Sequence, residues 1–445
     1  VFERILIASR GEVAARVART CRRLGIETVA LHTEGEAHAV HVEACDEAIA
    51  VGETLDGHRD VDRIVEAAAK AGVHAVHPGY GIERDEVALA RALEAAGIVY
   101  VGPPSSTLES LRDRLAVRDV AAQLGVRVLP GSERAVVEGN AALADVDRLG
   151  YPVVIKPALG HGEPDMVPVA QDVAELSEAL EALGPLDERG GAYLEPWIDR
   201  ARHVEVQVVV QGEDALVLGD REVSLRRAAR RLVAESPARA LDELHHADAV
   251  RGALWDASAD IARTLGCRGL ATCHYVLDGD GTFFFLGLTP GLTLEHSTTE
   301  MCCNIDLVEL ELRIAAGEPM PEEAARAEAS GCAFLARVDA STDPRTGQPF
   351  ESRVDLARWP PAPQGKVRIE TGVKIGSVIL PDHDPLTASV TTYAPTRHDA
   401  LLMLDRILAE IHLGPVVTNL RLLRKALNHE SVRAGQYDDG LLDRI

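Results

Sequence analysis

The sequence predicts an α/β protein that opens with a doubly wound parallel domain, and three observations predict it. Short apolar runs alternate with amphipathic helical stretches over the first hundred residues. Gly25, Gly72 and Gly97 close the helical stretches, where a left-handed C-terminal residue is wanted. An apolar strand, residues 73–76 and 98–101, follows at once after the last two.

Taken in order, Ile5-Leu6-Ile7-Ala8 reads as the first strand, and the helix after Gly11 spaces Val13, Val17, Cys21 and Leu24 along one face. Ligands of such sheets bind beyond the carboxyl ends of the strands. Ser9-Arg10-Gly11-Glu12 and His77-Pro78-Gly79-Tyr80-Gly81 both fall there, although turn chemistry alone accounts for either. The domain ends near Pro103-Pro104, and residues 105–124 read as a helical linker. A β-rich run then ends in Lys156 and enters a loop with Gly160 and Gly162, a plausible phosphate cradle. Pro164 removes a donor from that loop, and Glu163 and Asp165 add negative charge. Like charges about 4 Å apart repel by roughly 1 kcal/mol in water and roughly 4 near a protein surface.

Strands resume at Tyr193-Leu194-Glu195 and over 202–208, and Arg221, Arg226, Arg227, Arg230 and Arg231 follow closely. That cluster suits either an anion pocket or a solvated charged face. Two apolar runs around Asp278-Gly279-Asp280-Gly281 form a hairpin. Centring the pairing on the turn sets His274 opposite Phe285, with Thr272 and Gly287 on the same face. No carboxylate stands there, whereas a hard cation wants oxygen ligands; a plain core hairpin accounts for the same pattern. Further strands lie around 333–338 and 366–369, and helices over 398–412 and 419–428.

With 445 residues, two or three packed domains are expected. Seventy acidic against 46 basic residues, a formal charge of −24, disfavour nucleic acid and anionic membranes as partners. No apolar run is long enough to span a membrane and no signal-peptide pattern opens the chain, so a cytoplasmic location is expected. The seven cysteines are scattered without a CxxC spacing and read as reduced core residues.

Ala8-Ser9-Arg10-Gly11-Glu12, His77-Pro78-Gly79-Tyr80-Gly81, Gly150-Tyr151-Pro152-Val153-Val154-Ile155-Lys156 and Arg202-His203-Val204-Glu205-Val206-Gln207 are joined by Leu294-Glu295-His296, Thr299-Glu300, the run from Leu312 to Pro319, Arg337 and Thr418-Asn419-Leu420. In this order and spacing the chain resembles biotin carboxylase, the ATP-grasp component of biotin-dependent carboxylases. The resemblance implies a pre-ATP-grasp domain over 1–104, a helical linker over 105–130, a mobile ATP-grasp lid over 131–200, and a C-terminal α+β domain over 201–445. It also implies a reaction in which magnesium-ATP phosphorylates bicarbonate, carboxyphosphate breaks down, and the biotin of a carrier protein captures the CO2.

Carried over by resemblance, Lys156 matches the phosphate-binding lysine, Glu195 and Ile198 bound the adenine-contacting hinge, and His203 matches a nucleotide-contacting histidine. Glu295 matches the carboxylate that deprotonates bicarbonate, and Arg337 the arginine that stabilises the biotin enolate. Arg231 and Arg114 stand where the family has lysines, one contacting bicarbonate and one preceding the lid. The two metal-binding glutamates fall on His274 and Gly287, an asparagine on Thr289, the bicarbonate arginine on Gly291, and a glutamine on Thr293. Because phosphoryl transfer rests on positioning and charge neutralisation, the expectation is a biotin-carboxylase-like protein that does not carboxylate biotin and serves as a structural or regulatory subunit. It would bind ATP weakly, lack family metal ligands for magnesium, and carry no covalent biotin. Its partners would be other carboxylase subunits or an active homologue, in a homodimer or heterodimer. The alternative is an active biotin carboxylase or other ATP-dependent ligase whose metal site is rebuilt with His274, Asp220 or Glu295; a third reading is a sensor that holds a nucleotide or small acid without turnover.

Overall fold

The computed structural model describes residues 1–445 apart from 137–138, 162–167, 183–189, 228–229, 279–280, 343–347 and 382, and apart from the side chains of 139–141 and 182. The loop residues Gly162, Glu163, Pro164 and Asp165 and the turn residues Gly279 and Asp280 therefore lie outside the description.

Strands β1 (Arg4–Ile7), β2 (Glu27–His32), β3 (Glu47–Ala50), β4 (Ala75–His77) and β5 (Val99–Tyr100) form a parallel sheet in the order β3-β2-β1-β4-β5. The helix Gly11–Leu24 ends at Gly25, whose φ of 73° lets its N–H reach back to the carbonyls of Cys21 and Arg22. Parallel pairing brings the turns after β1 and β4 together. A Cβ on Gly79 would lie 2.5 Å from Ser9 Cβ, so this approach requires glycine. Ser9 Oγ then donates to the Tyr80 carbonyl at 3.2 Å.

The helical linker over residues 105–124 is built of two helices, Ser105–Leu111 and Arg114–Gln123. Asp113 interrupts them by capping the second, accepting from the Ala116 N–H at 3.0 Å. A three-stranded sheet follows, with β6 (Val153–Pro157) between β7 (Val169–Ala170) and β8 (Ala192–Pro196). It carries its own apolar cluster, including Val153, Ile155, Leu176 and Leu194.

The largest sheet has eight strands and is antiparallel. In order these are β13 (Phe283–Pro290), β12 (Gly269–Leu277), β9 (Arg202–Gln211), β10 (Asp214–Arg227), β11 (Arg230–Ser236), β14 (Cys332–Asp339), Leu386–Ala394 and Val367–Thr371. The β12–β13 register corrects the sequence expectation: His274 pairs with Gly287, and Phe285 with Tyr275. Leu286 is an extra residue between these pairs, a bulge that counting from a turn does not reveal. Phe285 thereby packs with Tyr275, ring centroids 5.6 Å apart, while Thr272, His274, Gly287 and Thr289 share the other face. Among the described residues no helix is long and apolar enough to cross a membrane. All seven cysteines are free thiols, five of them buried.

Candidate functional site

The period of two on β9 places His203, Glu205 and Gln207 on one face. Glu205 faces Arg221 across β10 and His274 across β12, and Gln207 faces Thr272. Glu205, Arg221 and His274 are all buried. Arg221 Nε donates to Glu205 Oε2 at 2.6 Å, its NH1 to Gln207 Oε1 at 3.0 Å, and its NH2 to Thr293 Oγ1 at 3.1 Å and Thr272 Oγ1 at 3.2 Å. Arg231 Nε and His274 Nδ1 stand 3.0 and 3.2 Å from Glu205 Oε1. His274 Nε2 lies 2.7 Å from Thr289 Oγ1, while Nδ1 faces Glu205 without making a hydrogen bond. Burial would raise the Glu205 carboxyl, but the Arg231 and Arg221 guanidiniums and His274 outweigh it and hold it well below the usual carboxylate range.

A divalent ion does not fit these residues. Glu205 is shared by two guanidiniums and an imidazole, Gly287 brings no side chain, and among the described residues no three His, Cys, Asp or Glu side chains converge as a metal group. Asp220, a possible recruit, is instead bound to the Ala238 N–H at 2.7 Å, Trp255 Nε1 at 2.8 Å and Arg251 Nε at 2.9 Å. Glu205 and Arg221 were not singled out as a centre from the sequence. The signal available was a strand whose alternate residues, His203, Glu205 and Gln207, are all polar between valines.

An apolar rest adjoins this assembly. Val276, two residues from His274 and on its face, clusters with Leu129, Ala201 and Leu286, and Ile198 packs against them. Lys156 Nζ donates to Glu195 Oε2 at 2.7 Å, and Arg118 NH1 stands 3.2 Å from Glu195 Oε1. His203 Nε2 lies 3.2 Å from Asp439 Oδ2. The Arg114 guanidinium meets the following loop: NH1 donates to the Leu159 and Pro157 carbonyls at 2.7 and 2.8 Å, and NH2 to the His161 carbonyl at 3.3 Å.

At the other end, Thr293, bonded to Arg221, leads into Leu294, which walls a cavity of about 430 Å³ with Arg10, Glu12, Tyr80, Arg230 and Arg337. Arg337 Nε donates to Asp339 Oδ1 at 2.8 Å and its NH2 to Asp384 Oδ1 at 2.6 Å. Tyr80 donates its hydroxyl proton to Glu12 Oε2 at 3.1 Å. Burial, aided by the Glu370 charge, pushes the Glu12 carboxyl up to about 8. Glu295 is buried at the N-cap of the helix His296–Cys303. The five clustered arginines thus form no single anion pocket: Arg221 and Arg231 serve Glu205, Arg230 lines the cavity, Arg226 NH1 stands 3.4 Å from His203 Nδ1, and Arg227 Nε stands 3.8 Å from Asp443.

Residues 1–108 match the family described as biotin carboxylase, N-terminal domain. Residues 113–323 match the carbamoyl-phosphate synthase L chain, ATP binding domain, and 336–444 the biotin carboxylase C-terminal domain. The chain is 33% identical to the biotin carboxylase of Halalkalibacterium halodurans, covering 98% of this chain and 96% of that protein. It is 31% identical to the mitochondrial methylcrotonoyl-CoA carboxylase subunit alpha of Arabidopsis thaliana, covering 99% of this chain but 60% of that longer subunit. Among solved structures, the biotin carboxylase domain dimer of Hydrogenobacter thermophilus 2-oxoglutarate carboxylase, in complex with MgADP, ADP and bicarbonate, superimposes with a TM-score of 0.91 at 29% identity, over 100% of this chain and 97% of that one.

Proposed function

The chain belongs to the biotin carboxylase family, and from that premise we propose that it is an ATP-dependent ligase of biotin-dependent carboxylation, charging biotin on a separate carrier protein. The observation that supports this reading best is the cavity that gathers Arg337, Arg230 and Tyr80 beside the wall residue Leu294. Lys156, Glu195, Ile198, His203 and Arg114 would address the nucleotide. Glu295 would take the proton of bicarbonate so that its oxygen attacks the terminal phosphate of ATP, and Arg231 would contact the anion. The resulting carboxyphosphate releases CO2 to biotin, whose enolate oxygen Arg337 would stabilise. In the family magnesium neutralises the phosphates; the residues at His274 and Gly287 do not fit it, and no step is drawn through a metal. We place the domain boundaries of this reading at 1–104, 105–130, 131–200 and 201–445, and its partners among carboxylase subunits, with a dimer as the assembly.

One observation favours a second reading, a structural or regulatory subunit that does not carboxylate. The Glu205–His274–Thr289 contacts are closed on themselves, at the positions where the resemblance expects ligands for the ion. ATP hydrolysis at saturating bicarbonate and free biotin, run beside the Halalkalibacterium halodurans relative, separates the two. Turnover within about tenfold of that control, a gap of about 1.4 kcal/mol, supports the ligase; none above the biotin-free background leaves the second reading.

A further inference from the structure

We propose that Arg10 is an anion-binding residue of the cavity walled by Leu294, where its guanidinium takes a small oxyanion, bicarbonate or inorganic phosphate. The inference rests on the ligase reading for its choice of ions, since bicarbonate enters that reaction and phosphate leaves it. It deepens that reading by naming a further cation for them.

Arg10 stands in the turn after β1, one residue before the helix Gly11–Leu24, and lines the cavity of about 430 Å³. Its guanidinium is aimed from behind. Nε donates to Glu36 Oε1, and Glu36 Oε2 accepts from the Thr33 N–H and Oγ1, each at 3.0 Å, with His58 Nε2 at 2.9 Å. Both Glu36 and His58 are buried. Burial would raise the Glu36 carboxyl, but the His58 hydrogen bond and the Arg10 charge outweigh it and hold it below the usual carboxylate range. The group that aims Arg10 therefore stays charged and cannot turn. On the cavity side, Arg10 NH2 stands 3.4 Å from His383 Nδ1, and NH1 has no acceptor among the described residues. A guanidinium fixed at Nε with NH1 uncommitted suits an oxyanion as its missing acceptor.

The carboxyl groups that share the cavity do not fill that place. Asp384 Oδ1 accepts from Arg337 at 2.6 Å. Glu12 accepts the Tyr80 hydroxyl proton and, pushed up to about 8, carries its own proton at neutral pH. Glu83 is exposed. Glu295, next to the wall residue Leu294, is a buried carboxyl group that makes no ion pair with Arg10 either, whose carboxylate partner among the described residues is Glu36. An anion drawn toward Glu295 is repelled unless a cation accompanies it, and Gly291, where the resemblance expects the arginine that grips bicarbonate, brings no side chain. Arg10 supplies such a cation from the opposite end of the chain.

Titration of the full chain with isotope-labelled bicarbonate and, separately, with inorganic phosphate tests this, read by NMR line width at constant ionic strength for the parent and for Arg10→Gln. At least one of the two ions is expected to bind the parent saturably and to bind the variant about tenfold or more weakly, and the ion that does so identifies the source. Equal affinity in parent and variant, or no saturable binding of either ion to the parent, would overturn the inference. Should the variant not fold, the unaltered chain still decides. One of the ions should then slow phenylglyoxal modification of Arg10 relative to the exposed Arg326, read by mass spectrometry, and an absence of protection would overturn the inference. Failure of the ligase reading shows instead as missing ATP turnover, which leaves the contact at Arg10 standing.

Discussion

Two arginine–carboxylate clusters in this molecule use the same chemistry to different ends. Around Glu205, Arg221 is fully buried with side-chain acceptors on all sides, and only Arg231 reaches toward solvent. Around Arg337, two aspartates hold the guanidinium, yet a cavity opens beside it. A buried guanidinium whose donors are all spent, as in Arg221, can only be structural or act as a fixed charge, whereas one with space beside it can exchange a protein carboxylate for an anion from solution. The contrast depends on which partners are replaceable.

The sharpest way to break that contrast is Glu205→Gln, which leaves the buried Arg221 and part-buried Arg231 guanidiniums short of their shared charge. We expect a loss of about 3–5 kcal/mol in unfolding free energy, read by urea denaturation, while Arg337→Ala changes it by about 1 kcal/mol or less. Comparable losses at both positions would erase the distinction. The pH dependence carries a sign. Because the folded Glu205 carboxyl lies below its unfolded value, its contribution is present above an ordinary carboxylate pKa of about 4.3 and is lost as pH falls through the folded value. The variant should therefore show a flatter acid limb.

Glu12, beside the open cavity, has the opposite sign. With a folded pKa raised to about 8, its contribution is present below the unfolded carboxylate pKa and is lost as pH rises toward 8. Glu12→Gln should stabilise the protein by roughly 2–3 kcal/mol at pH about 8 and by little at pH about 5. Equal urea midpoints for variant and parent at both pH values would show that Glu12 is not held protonated by the fold.

Smaller effects come from the flanks of each cluster. Gly291 has a φ of 82°, and a Cβ there would sit 3.6 Å from Glu311 Oε1. Gly291→Ala should lose roughly 1–2 kcal/mol through left-handed strain, measurable as a lowered melting temperature. Gly291→Arg would carry the same strain, so replacing this one residue does not simply reinstate a cationic contact. The least stability change is expected for Asp384→Asn, within about 0.5 kcal/mol, but this variant should bind bicarbonate more tightly because one competitor for Arg337 is gone. An unchanged affinity would mean that Asp384 is not replaceable.

What could be read from the sequence divides along similar lines. Local signals were enough for the parallel sheet, since its strands follow helix-ending glycines and its two ligand-edge turns are self-contained motifs. Lys156, His203, Glu295 and Arg337 were candidates only through the family resemblance that the motifs carry. Pairing across strands was harder to read. The bulge at Leu286 rotated Phe285 away from His274, and the irregular register of β10 with β11 sent neighbouring arginines to different destinations. The importance of Arg221 was not legible because its acceptors come from β9, β12 and the segment after β13, far apart in the chain.

The apolar clustering also bears on how the chain can be cut. Ile5, Ile7, Val17 and Cys21 share one core with Val209, Leu270, Leu307 and Leu312, so the first hundred residues own only part of the interior they complete. A fragment ending at residue 104 would present that half-core to water and is expected to aggregate. The segment around β6, β7 and β8 keeps a cluster of its own and is the better candidate for excision or transplantation. The seam along which an engineer could exchange parts therefore runs around the small sheet, and the first hundred residues travel with the central stretch from Val209 to Ala324.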